Sequence, residues 1–421
     1  MTEGTCFDAQ GYRLTGADHQ AAADFDAAVH LLLRLRADPL AAADAIIARQ
    51  PGFVMAHVLR STLFLLAAEP AATPGLAESL AKASALAAAA SPRERMHMDA
   101  LARWQVGDYV GASAAYARLS EAFPRDLLAL FAGHQADFFT GRKAMLADRI
   151  RRALPHWSSA VPGHSFLFGM LAFGLEENGD YSAANDAGLR ALADVPDNSW
   201  AIHAIAHCHE MQGEREKGIR WLGDTGPHWQ DNALLAVHNW WHLALFHLGL
   251  GDHGAAMAIY DDHIRPAAGA PAIELVDASA MLWRLQLAGA AVGDRFTAVS
   301  DAWDQAFAGH DAHGHYGFDD LHAAMAHAGA GRLERATPHL ADLSLRAASA
   351  APHARVLALA GLPLVRAVYA LAAGDRALAA DLLWRHREEA IHLGGSDAQR
   401  DILRLTLLAA ADADARHPVA A

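Results

Sequence analysis

The sequence predicts an all-α protein, a curved α-solenoid of about ten helical hairpins with a polar pocket on its concave side. Three observations lead to this prediction. Hydrophobic residues make up 53% of the 421 residues and charged residues 19%, as in chains that form a packed core. Alanine, the best helix former, is abundant, and few runs alternate as β-strands do. A glycine also recurs at the spacing of a helical repeat.

The recurring glycine is followed by a polar residue and separates two apolar helical patterns. Successive intervals run from 34 to 43 residues, the length of a helical hairpin. We expect each glycine to adopt the left-handed conformation that ends the first helix of its hairpin. The eight positions are Gly107, Gly141, Gly179, Gly213, Gly251, Gly293, Gly331 and Gly374.

Two of these units carry more of the tetratricopeptide pattern. Each has the string Gly-Asp-Tyr, at Gly107 and Gly179, and a proline 17 residues after that glycine, at Pro124 and Pro196. A proline at this place stops the second helix of a hairpin. Later units lack the proline and are longer, so we interpret them as degenerate tetratricopeptide-like repeats.

The repeats are expected over residues 91–390. Residues 1–90 are predicted to form an N-terminal lead-in with weak helical hairpins, and residues 391–421 a C-terminal capping helix. In that last segment, Ser396-x-x-Gln399 is a capping box that opens the helix.

Charge and cysteine content narrow the partners. The formal net charge of −14 argues against nucleic acid, and no run reads as a membrane span of about 20 apolar residues. The N-terminus lacks the pattern of a secretory signal, and two cysteines do not make a disulfide framework. We therefore expect a cytoplasmic protein with a small-molecule ligand. The oligomeric state is left open, with a homodimer as one option.

Histidine is over-represented, with 26 residues, and two His-x-x-x-His pairs stand out. His203 and His207 precede His238 and His242 by 35 residues, about one repeat, so both pairs are expected on neighbouring helices. Residues four apart share a helix face. Aligning the helices by their glycines gives an offset of 38 instead, and both registers leave the two faces overlapping.

Neutral histidine and carboxylate are the usual ligands of zinc and iron, so the pairs predict a divalent metal ion, Zn or Fe. The predicted metal ligands are His203, His207, Glu210, His238, His242 and His263.

Residues at matching places on the neighbouring helices complete the predicted pocket. As general base or ligand anchor we predict Glu176, Asp277 and His322. As ligand-binding residues we predict His164, Trp200, Trp241, Asp319 and Arg284.

Two other interpretations of the histidines stay open. They also fit a metal-free pocket in which imidazoles hydrogen-bond a small acidic or amide ligand. They fit equally a histidine-lined groove that binds a peptide without chemistry.

Several strings resemble the tetratricopeptide repeat protein 38 family over most of the chain. They are WAIHAIAHCHEM at 200–211, HNWWH at 238–242, IYDDHI at 259–264, MLWRLQ at 281–286, GLPL at 361–364 and GGSDAQRD at 394–401. The resemblance implies a tetratricopeptide-like solenoid. The biochemical activity of that family is undefined, so it supplies no catalytic residue, although the predicted metal ligands stand at its motif positions.

The functional hypothesis from the sequence is a metal-dependent enzyme that acts on a small molecule in a histidine-rich pocket, by hydrolytic or oxidative chemistry. The alternative is a non-enzymatic scaffold that binds a peptide or a partner protein in its concave groove.

Overall fold

A computed structural model describes residues 5–36, 38–231, 235–308 and 312–411. This part of the chain is helical except for its loops and one short antiparallel pair, β1 (Cys6–Phe7) with β2 (Arg13–Leu14). The α-helices are α1 (His19–Arg34), α2 (Pro39–Arg49), α3 (Val54–Ala67), α4 (Thr73–Ala85), α5 (Pro92–Gln105), α6 (Tyr109–Ala122), α7 (Leu127–Phe139), α8 (Lys143–Ala153), α9 (His164–Glu176), α10 (Tyr181–Asp194), α11 (Ser199–Met211), α12 (Arg215–Asp224), α13 (Ala236–Gly249), α14 (His253–Ile259), α15 (Ala272–Leu287), α16 (Arg295–Phe307), α17 (Gly317–Gly329), α18 (Ala336–Ala347), α19 (Ala354–Val356), α20 (Leu362–Ala372), α21 (Arg376–Arg385) and α22 (Asp397–Ala411).

Short segments of other helix types join these elements. The 3₁₀ segments are Pro70–Ala72, Leu154–His156, Gly226–His228, Leu333–Arg335 and Glu389–Leu393, and the π segments are Tyr260–Ile264 and Leu357–Gly361.

Consecutive helices pair into hairpins, from α1 with α2 to α17 with α18, and then α20 with α21. The three-residue α19 leads into the last hairpin, and α22 closes the chain. Within the described residues this gives ten hairpins, as the sequence predicts. The first helices of eight hairpins line the central cavity described below, and we call them inner helices: α1, α3, α7, α9, α11, α13, α15 and α17. The fold is therefore an all-α repeat solenoid, and the predicted fold class is confirmed.

The eight recurring glycines all have positive φ, from 61° to 85°. At Gly251, φ is 78° and no heavy atom lies within 4 Å of an added Cβ, so the turn requires the left-handed conformation rather than the missing side chain. The next residue is often an aspartate that caps the second helix: Asp252 accepts a hydrogen bond from the amide of Ala255, 2.9 Å away. The Gly-Asp pair thus ends one helix and starts the next.

The buried apolar side chains form two large groups that divide the solenoid near its middle. One extends from Cys6 to Cys208, and the other, apart from Ala68, runs from Trp241 to Ala410. Inner helices α11 and α13 lie on either side of this division. The division of the chain at residues 90 and 390 stays a prediction.

Both ends of the chain fold back on distant repeats. Near the N-terminus, Glu69 accepts a hydrogen bond of 3.0 Å from the amide of Ala272 on α15. At the other end, α22 packs against α11, α15 and α21. Its predicted capping box is present, because the side chain of Ser396 accepts from the amide of Gln399 at 3.1 Å and that of Gln399 from the amide of Ser396 at 2.9 Å.

One helical stretch of the described chain, Ala354–Ala372, is long and apolar enough to cross a membrane by length and composition. It is built from α19, a π turn and α20. Of its most apolar window, 61% is buried inside the protein. That burial is typical of a core helix, which passes the same test.

Candidate metal centre

The two histidine pairs lie on adjacent inner helices. The side chain of Asn198 accepts from the amide of Ala201 and so fixes the start of α11. His203 and His207 then follow on the side of α11 that faces α13, and His238 and His242 stand on the facing side of α13. We call these four residues the histidine cluster.

The ring nitrogens of the histidine cluster converge. The Nε2 atom of His203 lies 3.0 Å from Nε2 of His207 and 3.3 Å from Nε2 of His242. One nitrogen from each of the four rings lies within 4.8 Å of the others. A tetrahedral zinc ion with bonds of about 2.1 Å holds its ligand atoms about 3.4 Å apart. The Nε2 atom of His203 therefore lies from the other two at about the spacing of metal ligands, which is also hydrogen-bond distance, and a nitrogen of His238 lies within 4.8 Å.

Two carboxylates stand behind the histidine cluster, on the inner helices that flank it. His238 Nδ1 lies 2.9 and 3.0 Å from the two carboxylate oxygens of Asp277 on α15. His207 Nδ1 lies 3.3 Å from Oε2 of Glu176 on α9, without reaching hydrogen-bond geometry. The carboxylate of Asp277 keeps the proton on Nδ1 of His238 and turns the lone pair of Nε2 inward, as around metal-bound histidines. Asp277 and Glu176 thus lie next to the Nδ1 atoms of His238 and His207, respectively.

Burial lowers the pKa of three members of the histidine cluster, His203, His207 and His242. The rings of His207 and His242 are fully buried, and burial holds the pKa of His203 and His242 well below 6.5, with neighbouring imidazoles adding to the effect. For His207, burial lowers the pKa to about 4. A neutral imidazole keeps the lone pair that a metal ion requires. Burial likewise raises the pKa of Glu176 to about 8.

Two predicted metal ligands lie outside the cluster. Glu210 shares a helix face with His207, but it sits a turn further along α11 and lines a separate cavity with Arg215 and Arg284. His263 ends the second helix of its hairpin, where it is exposed and stacks on Trp240 with 3.7 Å between ring centres. The expectation that these two side chains join the other four histidines is corrected accordingly.

Two further predicted residues are also placed elsewhere. His322, on α17, donates from Nδ1 to the carbonyl of Phe318, 2.8 Å away, and is not among the grouped histidines. Its helix neighbours α15 rather than α11 or α13. His164 is the first residue of α9, and its ring contacts Phe168. Neither side chain belongs to the histidine cluster.

The predicted aromatic residues pack directly on the cluster. Trp241 is fully buried and stacks on His238, with ring centres 5.2 Å apart and planes 10° apart. Trp200 contacts His203 edge to face. Arg284 lies over the ring of Trp241 and donates to the carbonyl of Ala398, which ties α22 to α15. Arg284 is therefore placed as a structural anchor of the last helix.

A cavity of about 260 Å³ lies beside the histidine cluster, between the inner helices. His238 is the member of the cluster that reaches it, and predicted residues Trp200 and Asp319 also line it. Most of the remaining lining is apolar, which the sequence interpretation did not anticipate. Gln135 lines it as well; it stands six residues before Gly141, as His207 stands six before Gly213, so the repeat register contained a signal for it.

A second polar group on α17 and α18 has a different character. His339 Nε2 and His313 Nδ1 lie 3.0 and 3.2 Å from the same oxygen of Asp320, and the amide of Gly314 donates to its other oxygen at 2.8 Å. The two imidazoles and the amide are thus the hydrogen-bond partners of the Asp320 carboxylate. We therefore interpret the group as a clamp on the loop before α17.

No protein-family model matches the chain. The chain is similar to a tetratricopeptide repeat protein from Parabacteroides merdae ATCC 43184, with 12% identity and a TM-score of 0.35 over 72% of this chain and 98% of that chain. It is also similar to the P58(IPK) TPR domain, with 16% identity and a TM-score of 0.23 over 94% of this chain and 100% of that chain. Neither similarity carries an argument at these TM-scores.

The likeness to the tetratricopeptide repeat protein 38 family stays a prediction. The helical hairpins and the glycine turns between their helices show that the chain is a helical repeat protein of the tetratricopeptide-like kind.

Proposed function

We propose that the histidine cluster binds one divalent transition-metal ion, zinc or iron, and that the protein is an enzyme that acts on a small molecule in the adjoining cavity. The observation that carries this proposal is the convergence of four buried imidazole nitrogens within 4.8 Å of one another. Imidazole is a common ligand for both metals.

The arrangement of the four rings supports a reactive rather than a purely structural ion. Structural zinc sites are closed by four protein ligands, whereas catalytic sites keep one position open. The Nε2 atoms of His203, His207 and His242 form the tight part of the cluster. His238 is the most exposed of the four and lines the cavity. An ion held by the four rings would therefore take a substrate atom as an added ligand on the side of His238, where the cavity lies.

The chain's own residues would prepare this site. Asp277 holds the ring of His238 in one orientation and one tautomer, and Glu176 stands behind His207. Stacking of Trp241 on His238 restricts the ring further. Such support keeps reacting groups in place and excludes water. A bound zinc or iron ion would supply a Lewis acid toward the cavity.

The second candidate function is a non-enzymatic scaffold. The repeat architecture favours it, because stacked helical hairpins commonly present a concave surface to peptides or partner proteins. This candidate needs no metal ion, so metal content separates the two.

Elemental analysis of protein purified without an affinity tag tests the proposal. We expect about one zinc or iron ion per chain, and we expect His207→Gln and His242→Gln to lose it. The control is His134→Gln, because His134 is equally buried but bonds only the carbonyl of Met170. Protein that folds normally, contains no metal and takes up none on reconstitution would overturn the proposal and leave the scaffold.

A further inference from the structure

The central cavity has one acidic anchor and aromatic walls. We propose that it binds a small apolar amine, whose ammonium group pairs with Asp319 and whose aryl or alkyl body fills the apolar part. The binding of this amine does not depend on the proposed function. Its role as the substrate of a metal-dependent reaction does rest on that function.

The lining determines which ligands are compatible with the cavity. Its walls include seven aromatic side chains, Phe131, Phe138, Phe139, Phe173, Trp200, Tyr316 and Phe318. No lysine or arginine lines it among the residues that the structure describes. An anionic ligand would thus find no counter-charge, while aromatic faces attract cations. The apolar walls suit a hydrocarbon body.

Asp319 is the one carboxyl group among the described residues that line this cavity, where Gln135 Nε2 and Trp200 Nε1 also lack a hydrogen-bond partner. It is 6% exposed, lines the cavity, and its carboxyl oxygens meet no hydrogen-bond donor within the described chain. A buried carboxyl without a partner is costly, and a ligand that brings a donor removes the cost. An ammonium group brings three N–H donors and the opposite charge.

Neighbouring acids strengthen the preference for a cation. Asp320 follows Asp319, and Glu69 also acts on it electrostatically; together with burial, both raise the pKa of Asp319 well above its usual value. A positive ligand relieves this repulsion, whereas a neutral ligand leaves it in place. The same surroundings would repel a carboxylate or a phosphate.

Three probes of similar size and different charge test the proposal: 2-phenylethylamine, 2-phenylethanol and phenylacetate. Binding to the full chain is measured by isothermal titration calorimetry near neutral pH. We expect the amine to bind at least tenfold more tightly than the alcohol, and phenylacetate to bind most weakly. If the alcohol or the acid binds as tightly as the amine, or if none of the three binds at millimolar concentration, the proposal is wrong.

The Asp319→Asn variant locates the contact. It keeps the shape of the side chain, so we expect the amine to lose at least tenfold in affinity and the alcohol to change little. Asp342→Asn, an exposed position, removes the same charge as a control. Unchanged amine affinity in Asp319→Asn would contradict the proposal, and if that variant does not fold, the ranking of the three probes on the unaltered chain decides.

Repeating the titration on chelator-treated protein and on His207→Gln separates the two proposals. We expect amine binding to survive both treatments, because Asp319 lies outside the histidine cluster. Amine binding by a protein that never holds metal would leave this inference standing and remove the proposed function. A protein that holds metal but does not bind the amine would leave the proposed function standing and overturn this inference.

Discussion

The imidazole of His238 lies between the carboxylate of Asp277 and the ring of Trp241. Its Nδ1 donates to Asp277 at 2.9 Å, and its plane stacks on the indole at 10°. A ring fixed on its edge and on its face has little freedom to rotate. This pair of contacts explains how an inner helix presents one defined nitrogen to the cluster.

Asp277→Asn is expected to weaken metal binding without abolishing it. The amide lacks the charge that holds the proton on Nδ1 of His238, so affinity should fall by about 10- to 100-fold, the usual effect of losing such a partner. Competition with a chromophoric chelator measures it. Asp261→Asn is the control, because Asp261 pairs with Arg295 away from the cluster. Equal affinity in both variants would show that Asp277 does not support a metal ligand.

Gly251→Ala should destabilise the fold by about 1 kcal/mol, because its φ of 78° disfavours any residue with a Cβ. Gly223→Ala should instead stabilise it by about 0.5 to 1 kcal/mol, since Gly223 lies within α12 and alanine is the better helix former. Both glycines are exposed, and neither leaves a Cβ in contact with other atoms. Urea unfolding of the two variants therefore isolates backbone conformation. The same sign of change at both positions would refute this explanation of the repeat glycines.

Asp320→Asn should reduce stability most above pH 4. Burial alone would raise the pKa of Asp320, but hydrogen bonds from His313 and His339 outweigh it and lower the pKa from 3.8 to about 2. Because the folded-state pKa is depressed, the carboxylate contributes about 2 kcal/mol above pH 4, and this is lost as pH falls toward 2.

Unfolding free energies of the unaltered chain and of Asp320→Asn, measured between pH 6 and pH 2, check this expectation. The difference between them should shrink as the pH falls below 4. A difference that stays constant over the range would mean that ionisation of this group plays no part. Asp342→Asn, at an exposed position, should show no such trend.

Arg284→Met should loosen the last helix. The guanidinium is 3% exposed and donates to the carbonyls of Ala398 and Gln399 at 2.7 and 3.2 Å. Losing these charge-assisted bonds should cost about 2 kcal/mol. Faster amide exchange in α22 than in α15, read by mass spectrometry, is the expected sign. Arg404→Met is the control, since Arg404 is exposed and pairs only with Asp401; equal exchange in both variants would contradict the anchoring role.

The repeat spacing predicted the fold well, because a left-handed glycine turn is a local requirement that the sequence displays directly. Facing histidines were predicted for a similar reason: residues four apart share a helix face whatever the tertiary structure. Glu210 shows where this reasoning ends. Helical periodicity gives the direction of a side chain, but its height relative to the neighbouring helix depends on packing, and one turn placed Glu210 beside Arg215.

The apolar cavity was beyond prediction for a different reason. Leu32 and Gln399 both line it, although 366 residues lie between them in the sequence. No local pattern marks such positions as neighbours. They meet because the two ends of the solenoid return to its middle.

That return also changes how the protein is expected to assemble. An open repeat array can fray at one end while the rest stays folded, since each unit contacts only its neighbours. Here Glu69 bonds Ala272 and Arg284 bonds α22, so the second hairpin and the last helix are tied to α15. A chain emerging from the ribosome therefore has no complete binding chamber until its final helix has been made. Contacts between such distant segments slow folding, and unfolding should begin with the release of one of these ties.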